Sequence, residues 1–153
     1  MVMVVFRMGF SYYNAIKGQR AGAMKTKTIR QSVTFKASPH QVYEMLMDSK
    51  KHSEFSGSEA KISRKVGGSC TAYDGSLSGT NLELVPDEKI VQSWRGDDWP
   101  EGHYSRATFS LKAVPGGTRL TFNQTGVPED LYEDYRQGWT DYYWTPMKER
   151  LER

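Results

Sequence analysis

Six short strand-like segments in succession, joined by connections too short for anything but reversals, constrain this chain more than any other feature. Residues 60–65, 69–73, 76–85, 90–95, 104–114 and 118–125 are separated by Gly67-Gly68, Asp74-Gly75, Pro86-Asp87-Glu88-Lys89, the loop 96–103 and Pro115-Gly116-Gly117. Parallel neighbours need a crossover of about a dozen residues or more. These linkers are shorter and rich in turn-forming residues, so the segments are predicted to form an antiparallel meander. Residues 28–35 add another strand: Ile29, Gln31, Val33 and Phe35 alternate with Thr28, Arg30, Ser32 and Thr34, the period of a half-buried strand.

Helical signals flank the meander. Ser38-Pro39 supplies an N-cap and a first-turn proline, and Val42, Tyr43, Leu46 and Met47 follow at helical spacing, so a short helix is predicted over 39–48. Lys50 to Phe55 are read as a further turn before Gly57. A long helix is predicted over 128–152, with acids early and bases late, as the helix dipole favours. One side of it is rich in rings: Tyr135, Trp139 and Tyr142 or Tyr143, continued by Met147 and Leu151. Pro146 is expected to disturb it near Tyr142 or Tyr143. These elements make an α+β fold: a curved antiparallel sheet of about seven strands wrapped around the C-terminal helix. Alternation puts Ala107, Phe109, Leu111, Leu120 and Phe122 on the inner face, joined by Ile90 and Trp94, while Arg106, Thr108, Arg119, Thr121 and Asn123 face water.

Charge narrows the partners. The 153 residues hold 21 Lys and Arg against 18 Asp and Glu, a formal charge of +3. Arg7, Lys17 and Arg20 lie in the first 23 residues, which contain no acid, so residues 24–153 balance at 18 against 18. With no basic run in that body, nucleic-acid binding by phosphate neutralisation is not expected. No run reaches the roughly 18 apolar residues of a membrane span, and the apolar start, broken by Arg7, fits a secretion signal poorly. The single cysteine, Cys70, excludes an internal disulfide, and with three scattered histidines gives no zinc-site spacing. A cytoplasmic protein with no metal or cofactor is expected, whose single domain occupies 27–153 and whose residues 1–26 form a tail, with Met24 as a candidate start.

Two long strings of uncommon residues, with a short one between them, carry a resemblance. Asp98-Trp99-Pro100-Glu101-Gly102-His103-Tyr104, then Gly126-Val127-Pro128, then Arg136-Gln137-Gly138-Trp139-Thr140-Asp141-Tyr142-Tyr143 resemble the C-terminal domain of the activators of heat-shock protein 90 ATPase. Weaker blocks agree: Asp74-Gly75 to Ser78-Gly79, Leu84-Val85-Pro86, and Ile90-Val91 to Trp94-Arg95. The similarity covers about residues 27–152. It implies the START-like, or SRPBCC, superfamily, whose helix-grip fold closes a sheet and a C-terminal helix around a cavity. It also implies a non-enzymatic co-chaperone or protein-binding module with a heat-shock protein 90-type partner. The eukaryotic co-chaperone has an additional N-terminal domain, for which residues 1–26 are too few.

Two groups of residues are candidates for function. Trp94, Phe109, Phe122, Tyr135, Trp139, Tyr142 and Tyr143 either line a cavity for a small hydrophobic ligand, the alternative function, or pack as core. Trp99, Glu101, His103 and Arg136 are candidates for contact with a partner; Trp99 either presents rigid apolar area or folds back as a lid. No catalytic group is assigned, since the inner face offers chiefly apolar residues and tyrosines, although a cyclase or hydrolase chemistry remains a third reading. Cys70 is expected to be a buried, inert thiol, and Asp97, Asp98 and Glu101 a solvated acidic loop.

Overall fold

The computed structural model describes residues 24–153; of the tail expected over 1–26, residues 1–23 lie outside the described residues, and Thr26 already belongs to the first strand. Strand β1 (Thr26–Phe35) leads to helices α1 (Pro39–Met47) and α2 (Ser49–Ser56). The meander follows as β2 (Lys61–Ile62), β3 (Ser69–Ala72), β4 (Leu77–Val85), β5 (Lys89–Gly96), β6 (Ser105–Val114) and β7 (Gly117–Pro128). A 3-10 turn (Glu129–Leu131) opens the C-terminal helix, which runs as α3 (Tyr132–Trp139), a π turn (Thr140–Trp144) and α4 (Thr145–Leu151). The seven strands form one antiparallel sheet in the order β1-β7-β6-β5-β4-β3-β2. The meander is therefore read correctly, and β1 closes it by pairing with the last strand.

Local chemistry accounts for the helices. Ser38 caps α1 with a reciprocal pair of bonds: its Oγ accepts from the Gln41 amide at 3.2 Å, and the Ser38 amide donates to Gln41 Oε1 at 2.9 Å. Asp48 ends α1 and caps α2 by accepting from the Lys51 amide at 2.9 Å. Gly57, at φ 72°, terminates α2 in the left-handed region that a side chain would disfavour. Thus 50–55 belongs to a separate, complete helix rather than an added turn.

Three boundaries differ from expectation. The segment predicted over 60–65 pairs only at Lys61–Ile62, because Asn81 Nδ2 donates to the carbonyls of Ser63 (2.7 Å) and Lys65 (3.0 Å) and bends the chain away from the ladder. The C-terminal helix starts later than 128, since β7 stays paired with β1 out to Pro128. Asp74-Gly75 is part of a four-residue connection, with Tyr73 and Asp74 both at positive φ, because Tyr73 turns inward.

The disturbance expected from Pro146 takes the form of the π turn, which lies just before it. An unbroken α-helix would offer the amide of residue 146 to the Tyr142 carbonyl, and proline has none. The Tyr73 hydroxyl donates to that carbonyl instead, at 2.5 Å. Tyr73→Phe is expected to destabilise the fold by about 1–2 kcal/mol, measurable by denaturant unfolding, with secondary structure unchanged.

Candidate functional site

The inner face of the sheet and the helix meet in a layer of rings. Tyr135, Trp139 and Tyr143 recur every four residues on the C-terminal helix and all three are buried. They meet Trp94 of β5, Phe109 of β6 and Phe122 of β7, inward by strand alternation. Ring centres lie 4.3 Å apart for Phe122–Trp139, 4.5 Å for Trp139–Tyr143, 4.9 Å for Trp94–Trp139 and 5.0 Å for Phe109–Phe122. The rings expected around a ligand cavity therefore pack against each other, and Tyr142 sits half-buried at the edge. Trp144, unassigned from sequence, joins the layer; its Nε1 donates to Gln31 Oε1 at 2.7 Å.

What remains open is a cavity of about 20 Å3 lined by Trp94, Phe109 and Tyr143 together with His52, Cys70 and Gln92. That is room for about one water molecule. Its polar groups are already partnered. His52 Nδ1 donates to the Leu46 carbonyl at 3.0 Å, which leaves Nε2 to accept from the Tyr143 hydroxyl at 3.1 Å. Burial pushes His52 down to about 4, against a weaker opposing effect of the Leu46 carbonyl. It also pushes the Tyr143 hydroxyl well up, so both are neutral at pH 7. Cys70 Sγ lies 3.1 Å from Asn81 Oδ1, which also accepts from Gln92 Nε2 at 3.0 Å. Burial raises the thiol to about 11, so it stays protonated, the inert state expected of it. His52 drew no assignment from sequence.

The loop 97–104 is a lid. Trp99 is 1% exposed, its ring centre 5.4 Å from Tyr135 and 6.3 Å from Trp94. Of the two readings of Trp99, the structure takes the folded-back one, and the side chain offers no apolar area to a partner. Asp98, expected in a solvated loop, is 2% exposed and accepts from the Tyr135 hydroxyl at 2.5 Å. Gly96 makes room for this pair, since a Cβ there would collide with Tyr135 Oη. Arg95 Nη2 donates to the Trp99 carbonyl at 2.7 Å and to the Pro100 carbonyl at 3.3 Å, and its Nε donates to the His103 carbonyl at 3.3 Å. His103 Nε2 donates to the Gly126 carbonyl at 2.7 Å, which fixes it as a loop anchor. Glu101 is exposed. So is Arg136, but it pairs with Glu133 at 2.9 Å on its own helix, and its carbonyl receives Gln31 Nε2 at 2.8 Å.

The lid thus gathers Trp99 and His103, while Glu101 and Arg136 remain at the surface. Among the described residues no three His, Cys, Asp or Glu side chains converge as a metal site. No helix among them is long and apolar enough to cross a membrane.

Comparison with known proteins agrees with the motifs. Residues 36–152 match the family model described as Activator of Hsp90 ATPase homolog 1-like protein. A Dictyostelium discoideum protein named activator of 90 kDa heat shock protein ATPase homolog is 36% identical over 116 residues, covering 74% of this chain and 30% of that protein. The human activator homolog 1 is 34% identical over 116 residues, covering 76% of this chain and 34% of that protein. The chain therefore spans about a third of the length of these curated relatives. A crystal structure of an HSP90 activator from Plasmodium falciparum superposes with a TM-score of 0.78 at 25% identity, covering 82% of this chain and 96% of that one.

Proposed function

Because the chain belongs to the Activator of Hsp90 ATPase homolog 1-like family, we propose that it is a non-enzymatic co-chaperone domain that binds a heat-shock protein 90-type ATPase and alters its turnover. The family match over residues 36–152 carries this reading. The interior supports it from the other side. Catalysis needs a reachable acid or base, whereas His52, Tyr143 and Cys70 are buried around a space for one water, His52 and Tyr143 bonded to each other and Cys70 to Asn81. What this domain does, it does with its surface.

Taken by itself, this domain lacks the gain in effective concentration that a second linked module supplies. Binding to the host's purified chaperone is therefore expected in the micromolar range by calorimetry, with a measurable change in ATP turnover at saturation. No binding at tens of micromolar, together with unchanged turnover, removes the assignment.

A further inference from the structure

The balanced charge of the body conceals a strong separation in space. Strands β1, β7 and β6 are adjacent in the sheet and contain no Asp or Glu. On their outer face, turned away from the helices, stand Arg30, Arg106, Lys112 and Arg119, all exposed. Between them lie Ser32, Thr34, Ser110, Thr121 and Asn123. None of the four bases has an ion-pair partner among the described residues. The compensating acids are elsewhere: Glu129, Asp130, Glu133, Asp134, Asp141, Glu149 and Glu152 all follow β7.

One pair makes this arrangement costly. Lys112 is directly across from Arg119 in the β6–β7 ladder, on the same face, and like charges so placed repel. An anionic partner would relieve the repulsion and be steered to the face by its field. By contrast, Arg64 and Lys61, on the far side of the sheet order, are locally neutralised: Arg64 pairs with Glu44 at 2.6 Å and Lys61 lies 3.9 Å from Glu59.

We infer that the outer face of β1, β7 and β6 is the docking surface of this domain, and that its occupant is an acidic protein surface. Within the three strands the face carries no aromatic side chain on which unpaired bases could stack, and Tyr104, exposed just before β6, already has the Arg95 guanidinium 5.8 Å over its ring. Nor do these strands expose a large apolar residue to enter a bilayer. In naming the chaperone as bearer of the acidic surface, this deepens the function proposed above and rests on it.

The test compares the full chain with the triple variant R30E/K112E/R119E and the charge-conserving variant R30K/K112R/R119K, each checked for native circular dichroism. Fluorescence anisotropy measures binding to the host chaperone and, independently of it, to poly-L-glutamate, at low and high salt. The expected result is salt-sensitive binding of both, weakened at least about tenfold by charge reversal and retained by the conserving variant. Chaperone binding that survives charge reversal overturns the docking face and leaves the co-chaperone reading standing. Poly-L-glutamate binding lost on reversal, with no chaperone binding by the unmodified chain, sinks the co-chaperone reading and keeps the face. Failure to bind either probe overturns both. Tighter binding to oligo-dT or to phosphatidylserine vesicles than to poly-L-glutamate overturns the assignment of a protein partner.

Discussion

Replacing Trp139 by Ala is expected to lower the unfolding free energy by about 4–5 kcal/mol, a large part of what a domain of this size has. Two losses combine. The indole is the hub of the ring layer, in contact with Trp94, Phe109, Phe122, Tyr143 and Trp144, and its removal leaves space between rigid rings that cannot close in. Its Nε1 also donates to Gln124 Oε1 at 2.8 Å. Gln124 is fully buried, and its Nε2 in turn donates to Ser105 Oγ, which donates to the Trp94 carbonyl. Without Trp139 the glutamine oxygen is left buried and short of its donor. Trp139→Phe separates the two losses, keeping a ring but no donor, and is expected to cost about half as much. Urea unfolding of the three proteins decides it; a loss below about 1 kcal/mol for the alanine variant would mean the rings do not hold the sheet to the helix. The cavity made by the alanine variant should take up indole or benzene, which the unmodified interior has no room for.

Between about pH 4 and pH 6 the unmodified chain is expected to change little in stability from these two buried groups, because they titrate in opposition. Burial raises Asp98 from 3.8 to about 6, partly offset by the Tyr135 hydroxyl, with the neighbouring Asp97 and Asp134 adding to the rise. In that window the folded state holds a proton that the unfolded state has released. The contribution of Asp98 is therefore present at low pH and lost as pH rises through about 6. His52 behaves oppositely. Its folded value is lowered from 6.5 to about 4, so its contribution is present above 6.5 and lost as pH falls through about 4. Each shift is worth on the order of 3 kcal/mol. Asp98→Asn leaves the histidine unopposed, and stability should fall steeply from pH 6.5 to pH 4. His52→Gln should reverse the slope, with stability rising over the same descent. Parallel profiles for the two variants would show that neither side chain titrates as its burial requires.

The parts of this structure legible from sequence are those governed by period and turn chemistry. The inward assignment of Ala107, Phe109, Leu111, Leu120 and Phe122 holds for every residue, because the side-chain period of a strand is two whatever the tertiary context. The same parity carries on to Gln124, a polar residue at an inward position that would have pointed to the buried Trp139 bond. Whether a ring-lined interior is hollow or filled is a matter of volumes and rotamers, which alternation does not encode. The lid was ambiguous for another reason: Trp99 and Asp98 lie in a loop with no period, and their burial depends on Tyr135, which is distant in sequence. The outer basic face was hidden most completely. Arg30, Arg106, Lys112 and Arg119 form no run, and only the strand order, which places β1 beside β7, brings them together.

The central claim is that this domain acts through its outer surface while its interior serves only to hold that surface in shape. The most direct measurement is a backbone amide NMR spectrum of the labelled chain titrated with the host's heat-shock protein 90-type chaperone. Shifts and broadening confined to residues 30–34, 106–112 and 119–123 are the predicted result. Changes centred instead on His52, Cys70, Gln92 and Tyr143, or on the lid from Asp97 to Tyr104, would contradict it.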